Sequence, residues 1–106
     1  MHREHLPLAQ RVLAMQVQYT PDHAGLREAL SGVLYMMGDL DGARAAIDAA
    51  ANLGAPAWRV AYHRGLVAEA AGKADEAQAQ YQACIDATPS FLGAKSRLSG
   101  MKSQGG

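Results

Sequence analysis

Apolar residues return every three to four positions along most of this chain, and the pattern is interrupted at five short breaks rich in Gly and Pro. Leu6, Ala9, Leu13 and Val17 have the spacing of one helical face. Pro7 falls in the first turn, where a missing N–H does no harm. The pattern predicts a helix over residues 6–19, ended at Thr20-Pro21 because proline disfavours the helical conformation of the residue before it. Asp22 is the expected N-cap of a second helix over residues 24–37. Gly38-Asp39 then supplies a turn, and a third helix runs over 40–53 to the break at Gly54-Ala55-Pro56. The same sequence of events follows again: a helix from Pro56 to about residue 71, a turn at Gly72-Lys73, and a helix over 74–87. Thr88-Pro89-Ser90 separates these from a last helix over about 91–101. The tail, Ser103-Gln104-Gly105-Gly106, has no apolar residue to anchor it and is expected to fray. Six helices joined by connections of a few residues place successive helices antiparallel.

The turn glycines Gly38 and Gly72 are 34 residues apart, and their surroundings fall into step at that spacing. Val33 pairs with Val67, Asp41 with Asp75, Ala43 with Ala77, Ala45 with Ala79 and Ala49 with Ala83. Ile47 with Tyr81 and Ala50 with Cys84 are conservative pairs in the same register. An internal repeat of this length is the mark of stacked helical hairpins.

Composition narrows the picture. Alanine is abundant and aromatic residues are only 6% of the chain, which favours helix over strand. At 106 residues there is material for one domain with a modest core. Ten Lys and Arg balance ten Asp and Glu, so no overall field draws the chain to nucleic acid or an anionic membrane. No apolar stretch is long enough to span a bilayer, and no signal-peptide core follows the first residues, so a cytoplasmic location is expected. The single Cys84 excludes an internal disulfide. Charge is uneven along the chain. Residues 24–57 hold two Arg against four acids, whereas Lys95, Arg97 and Lys102 stand unopposed after Leu92.

With the period established, the chain resembles the tetratricopeptide repeat family, whose unit is a 34-residue helix-turn-helix with small residues at set positions. Residues 24–57 form one unit and 58–91 the next. The small-residue slots hold Ser31, Ala43 and Ala50, then Gly65, Ala77 and Cys84. The larger slots hold Leu34 and Ile47, then Ala68 and Tyr81, and Pro89 is the repeat-ending proline. Pro21, 68 residues before Pro89, makes residues 6–21 the second half of a preceding unit, while residues 92–102 look like a capping helix and 103–106 a disordered tail. The chain departs from the family at the aromatic early in the first helix, which is replaced by Arg27, Ala61 and Lys95, with Trp58 three residues before Ala61. The resemblance implies an all-α superhelix of stacked antiparallel hairpins, with the first helix of each unit lining a concave groove that takes a peptide segment or helix of a partner protein. Groove positions map to Glu28, Tyr35 and Met36, then to Arg59, Tyr62, His63, Leu66 and Glu69, and finally to Ser96 and Arg97. The tyrosines offer wide, amphipathic contact area, and Arg59 and Arg97 suit a carboxylate or a carbonyl. The Lys and Asn set with which some relatives clamp a C-terminal carboxylate is absent, Glu28 and Gly32 standing where it would begin.

Catalytic and metal chemistry find little support. His2 and His5 have an i, i+3 spacing but lack a Cys or a ring of carboxylates to complete a ligand set. His63 and Glu69 lie on one helix with no nucleophile in register, and Cys84 falls where the repeat demands a small buried residue. Met15, Met36, Met37 and Met101 read as core filler. The expected function is a protein-binding adaptor that is not an enzyme and has no cofactor or metal. A scaffold that self-assembles through exposed stack ends, or a fragment of a longer array, are the alternatives.

Overall fold

The computed structural model describes residues 5–104. Among them are six helices and no strand: α1 Leu6–Tyr19, α2 Ala24–Met36, α3 Leu40–Asn52, α4 Ala57–Ala70, α5 Ala74–Ala87 and α6 Leu92–Gln104. Among the described residues the chain is all-α, and within each unit successive helices pack together, α1 with α2 and α2 with α3 in the first and α4 with α5 and α5 with α6 in the second, as in a helical repeat. It divides at Ala55/Pro56 into two compact units. The first unit contains α1, α2 and α3, and the second α4, α5 and α6.

Each unit is organised around one tight hairpin. Gly38 and Gly72 have φ of +84° and +79°, a left-handed conformation that residues with a Cβ resist. The backbone around each makes the same pair of bonds. Gly38 N–H donates to the Tyr35 carbonyl and Asp39 N–H to the Leu34 carbonyl, at 3.0 and 2.9 Å. Gly72 N–H donates to Glu69 and Lys73 N–H to Ala68, at 3.1 and 2.9 Å. These 5→2 and 6→1 bonds satisfy carbonyls that a helix end otherwise leaves open, and they turn the chain back within three residues.

The hairpins bury the same register positions. In the first unit Ser31, Val33, Ala43, Ile47 and Ala50 are buried, and in the second Gly65, Val67, Ala77, Tyr81 and Cys84. Ala43, Ile47, Ala50, Ala77, Tyr81 and Cys84 are all 0% exposed. Small residues here let the helix backbones approach closely. Ser31 donates its hydroxyl to the Ala43 carbonyl at 2.8 Å, so the one polar side chain of that seam is satisfied. In the second seam Gly65 leaves space that the Tyr81 ring occupies, and a Cβ there would sit 2.5 Å from the ring.

Helix ends depart from expectation in two places. The N-cap of α2 is His23, not Asp22; its Nδ1 accepts from the Leu26 N–H at 3.2 Å. Arg27, one turn into that helix, donates from Nη2 to the Pro21 carbonyl at 3.1 Å and so ties the α1–α2 connection to α2. At the other end α6 continues to Gln104, past residues 101–102 where it had been expected to stop and into the segment expected to be disordered. Nothing between Met101 and Gln104 breaks a helix, and Lys102 in the last turn suits the negative end of the dipole. Residues 105–106 of the expected tail lie outside the described residues, as does His2 of the His2–His5 pair.

Candidate functional site

In the first unit, the turn after α2 carries the candidate contact residues. Tyr35 is half-buried and Met36 41% exposed, and both face a concavity of about 350 Å³ completed by Leu6, Pro7, Met37 and Gly38. The N-terminal end of α1 lies against the C-terminal end of α2, as antiparallel packing requires, and the concavity forms between them. Leucine, proline and methionine side chains beside a tyrosine suit an aliphatic or aromatic side chain presented by another polypeptide. Glu28 lies about two turns earlier on α2, half-buried and outside this lining.

In the second unit the predicted residues are largely occupied with one another. Tyr62 meets Phe91 edge to face at 4.9 Å between centroids and lies 6.1 Å from Tyr81. Phe91 in turn packs against Trp58 at 5.1 Å, and the Arg59 guanidinium sits 5.9 Å from the Trp58 ring centre. His63 approaches the Tyr62 ring edge at 6.2 Å. Leu66 is buried, so this position serves the core and offers a partner almost no surface. Glu69 accepts the Tyr81 hydroxyl at 2.7 Å and lies 3.5 Å from Arg97 Nη1. An ion pair this exposed contributes about 0–1 kcal/mol, so its role is placement more than stability. Ser96 and Arg97 are both exposed on α6.

Two arrangements were not anticipated from spacing. Trp58, Tyr62 and Phe91 form one aromatic group because Phe91, in the connection between α5 and α6, lies against the two rings of α4. The α5–α6 packing also opens a second concavity of about 440 Å³, lined by Ile85, Lys95, Leu98, Ser99 and Lys102. Lys95, Ser99 and Lys102 recur at helical spacing on one side of α6, a signal the sequence does contain.

Cys84 is wholly buried, and that burial pushes its thiol pKa up, away from the reactive thiolate. Among the described residues no group of three or more His, Cys, Asp and Glu is gathered to hold a metal ion, and no helix is long and apolar enough to cross a membrane. No family model matches this chain, and no curated protein is a match.

Proposed function

We propose that this chain is a tetratricopeptide-like interaction module that binds a peptide segment or helix of a partner protein through the first helices of its hairpins. The observation that carries this reading is the shared plan of the two hairpins. Gly38 and Gly72 turn the chain with one pattern of bonds, and the same five register positions are buried in each. A hairpin repeated at this period buries its small-residue seam and leaves its remaining faces to other molecules. The contact surface with most support is the concavity at Tyr35 and Met36 in the first unit. Tyr62, Leu66 and Glu69 support the hairpin they belong to, and their part in recognition is indirect.

The test is selection from a random-peptide display library, with the selected peptides titrated against the chain and a Tyr35→Ala/Met36→Ala variant. Both substituted side chains retain exposure, so the variant is expected to keep its helical circular dichroism. Weakening of about tenfold or more supports the assignment, since two anchors of this size commonly contribute over 1 kcal/mol each. Selected peptides that bind the folded variant with unchanged affinity would remove the site from the α2 turn, and failure to select any would count against the module itself.

A further inference from the structure

Helix α6 carries on one side the register positions that are buried in the first helix of each hairpin. Shifted by the 34-residue period, Ala61, Gly65 and Ala68 of α4 become Lys95, Ser99 and Lys102 of α6. In α4 all three are buried, and the Tyr81 ring of α5 lies over Gly65. In α2 the corresponding Ser31 is 0% exposed and donates its hydroxyl to the Ala43 carbonyl of α3. In α6 all three are exposed, and with Ile85 and Leu98 they line the concavity of about 440 Å³. Lys95 and Lys102 stand two turns apart, about 10 Å along the axis, with Leu98 and Ser99 between them. The lining contains no carboxylate; Asp86, next to Ile85 on α5, accepts from Gln82 at 2.9 Å and lies outside it.

We infer that this face of α6 binds an acidic helix of another protein, packed antiparallel as α3 packs on α2 and α5 on α4. The lysines set the sign of the partner's charge, and the register sets its spacing. The packing that brings Ser31 beside Ala43 places carboxylates seven residues apart opposite Lys95 and Lys102, with a small residue between them opposite Ser99. The recognition pattern is therefore Glu-x-x-Ala-x-x-x-Glu, its first acid near Lys102 and its second near Lys95. Ser99 is placed to donate to a carbonyl of the bound helix, as Ser31 does within the first hairpin. Ile85 and Leu98 in the lining favour a polypeptide over a nucleic-acid backbone, which cations alone would serve. A second copy fits poorly, because α1, the other helix outside the two glycine-turned hairpins, holds Arg11 and no acid. The site is separate from the Tyr35–Met36 concavity and does not rest on it.

Fluorescence anisotropy at low ionic strength tests this, with a labelled, helix-stabilised peptide of that pattern titrated with the chain. Lys95→Glu/Lys102→Glu should weaken binding by about tenfold or more, and a peptide with both acids replaced by Lys should prefer that variant to the parent chain. Tyr35→Ala/Met36→Ala should leave the affinity unchanged, which separates this site from the one proposed above. Circular dichroism verifies that the variants stay helical; if the charge reversal does not, Lys95→Gln/Lys102→Gln replaces it and must weaken binding. Absence of binding up to about millimolar chain overturns the inference. So does equal binding of a peptide of the same composition with its two acids on opposite faces. Binding that survives the lysine substitutions, or that Tyr35→Ala/Met36→Ala abolishes, also overturns it. Tighter binding of a peptide copying residues 6–19, or of a single-stranded oligonucleotide, would assign the face to a second copy or to nucleic acid instead.

Discussion

Tyr81 and Gly65 show how a single register position is solved twice. In the first hairpin the slots hold Ser31 and Ile47, and the serine hydroxyl is satisfied by the Ala43 carbonyl. In the second they hold Gly65 and Tyr81: the missing side chain makes room for the ring, and the phenol reaches Glu69. The two solutions do not mix. Gly65→Ser, which copies the first hairpin into the second, should destabilise by about 1–3 kcal/mol, because the new Cβ meets ring carbons and not a flexible chain end. Adding Tyr81→Ile should recover a clear part of that loss although Tyr81→Ile alone is destabilising, a non-additivity that a double-mutant cycle in urea detects. Equal and additive losses would show that the two side chains do not share the space. The 34-residue register made both slots legible in the sequence. The exchange between them was not, because it depends on which atoms meet across the seam.

Capping distinguishes the two hairpins at the level of elements. Asp39 caps α3 by accepting from the Gly42 N–H at 3.0 Å, whereas Lys73 holds the same position before α5 and makes no capping bond. Lysine also sets its charge against the positive end of the helix. Asp39→Ala should therefore cost about 1 kcal/mol, and Lys73→Asp should stabilise by about 0.5–1 kcal/mol, both read as shifts of the urea midpoint with unchanged slope. A destabilised Lys73→Asp would show that acidic neighbours Asp75 and Glu76 outweigh the new cap. Element boundaries were largely readable because Gly and Pro act locally. The cap at His23 was not, since Asp22 and His23 both carry an acceptor and only the path of the chain after Pro21 selects between them.

For the molecule as a whole, Cys84 reports on folding. Burial raises its pKa above the usual thiol value, so over the alkaline range the folded chain holds a proton that the unfolded chain releases. The unfolded state then binds fewer protons, and stability falls as pH rises past about 9, where below it the contribution is fully present. Cys84→Ala should flatten this alkaline decline, measured as urea midpoints between neutral and alkaline pH. A native chain should also resist thiol reagents until denaturant opens it, and rapid labelling at neutral pH would contradict the burial. By itself the amino-acid sequence determined that the chain is helical, where its hairpins turn, and which small residues form their seams, because propensity, Gly, Pro and a 34-residue period all act locally. Only the tertiary structure decided which of the expected contact residues remain available. Tyr62 is engaged by Phe91, Glu69 by Tyr81 and Arg97, and Leu66 by the core, while Tyr35 and Met36 keep an open concavity. It also decided that one apolar face of α1 is covered and the other is not. The reason is the same in each case: a helical period marks every apolar face alike, and only packing between residues distant in sequence determines which of those faces is used.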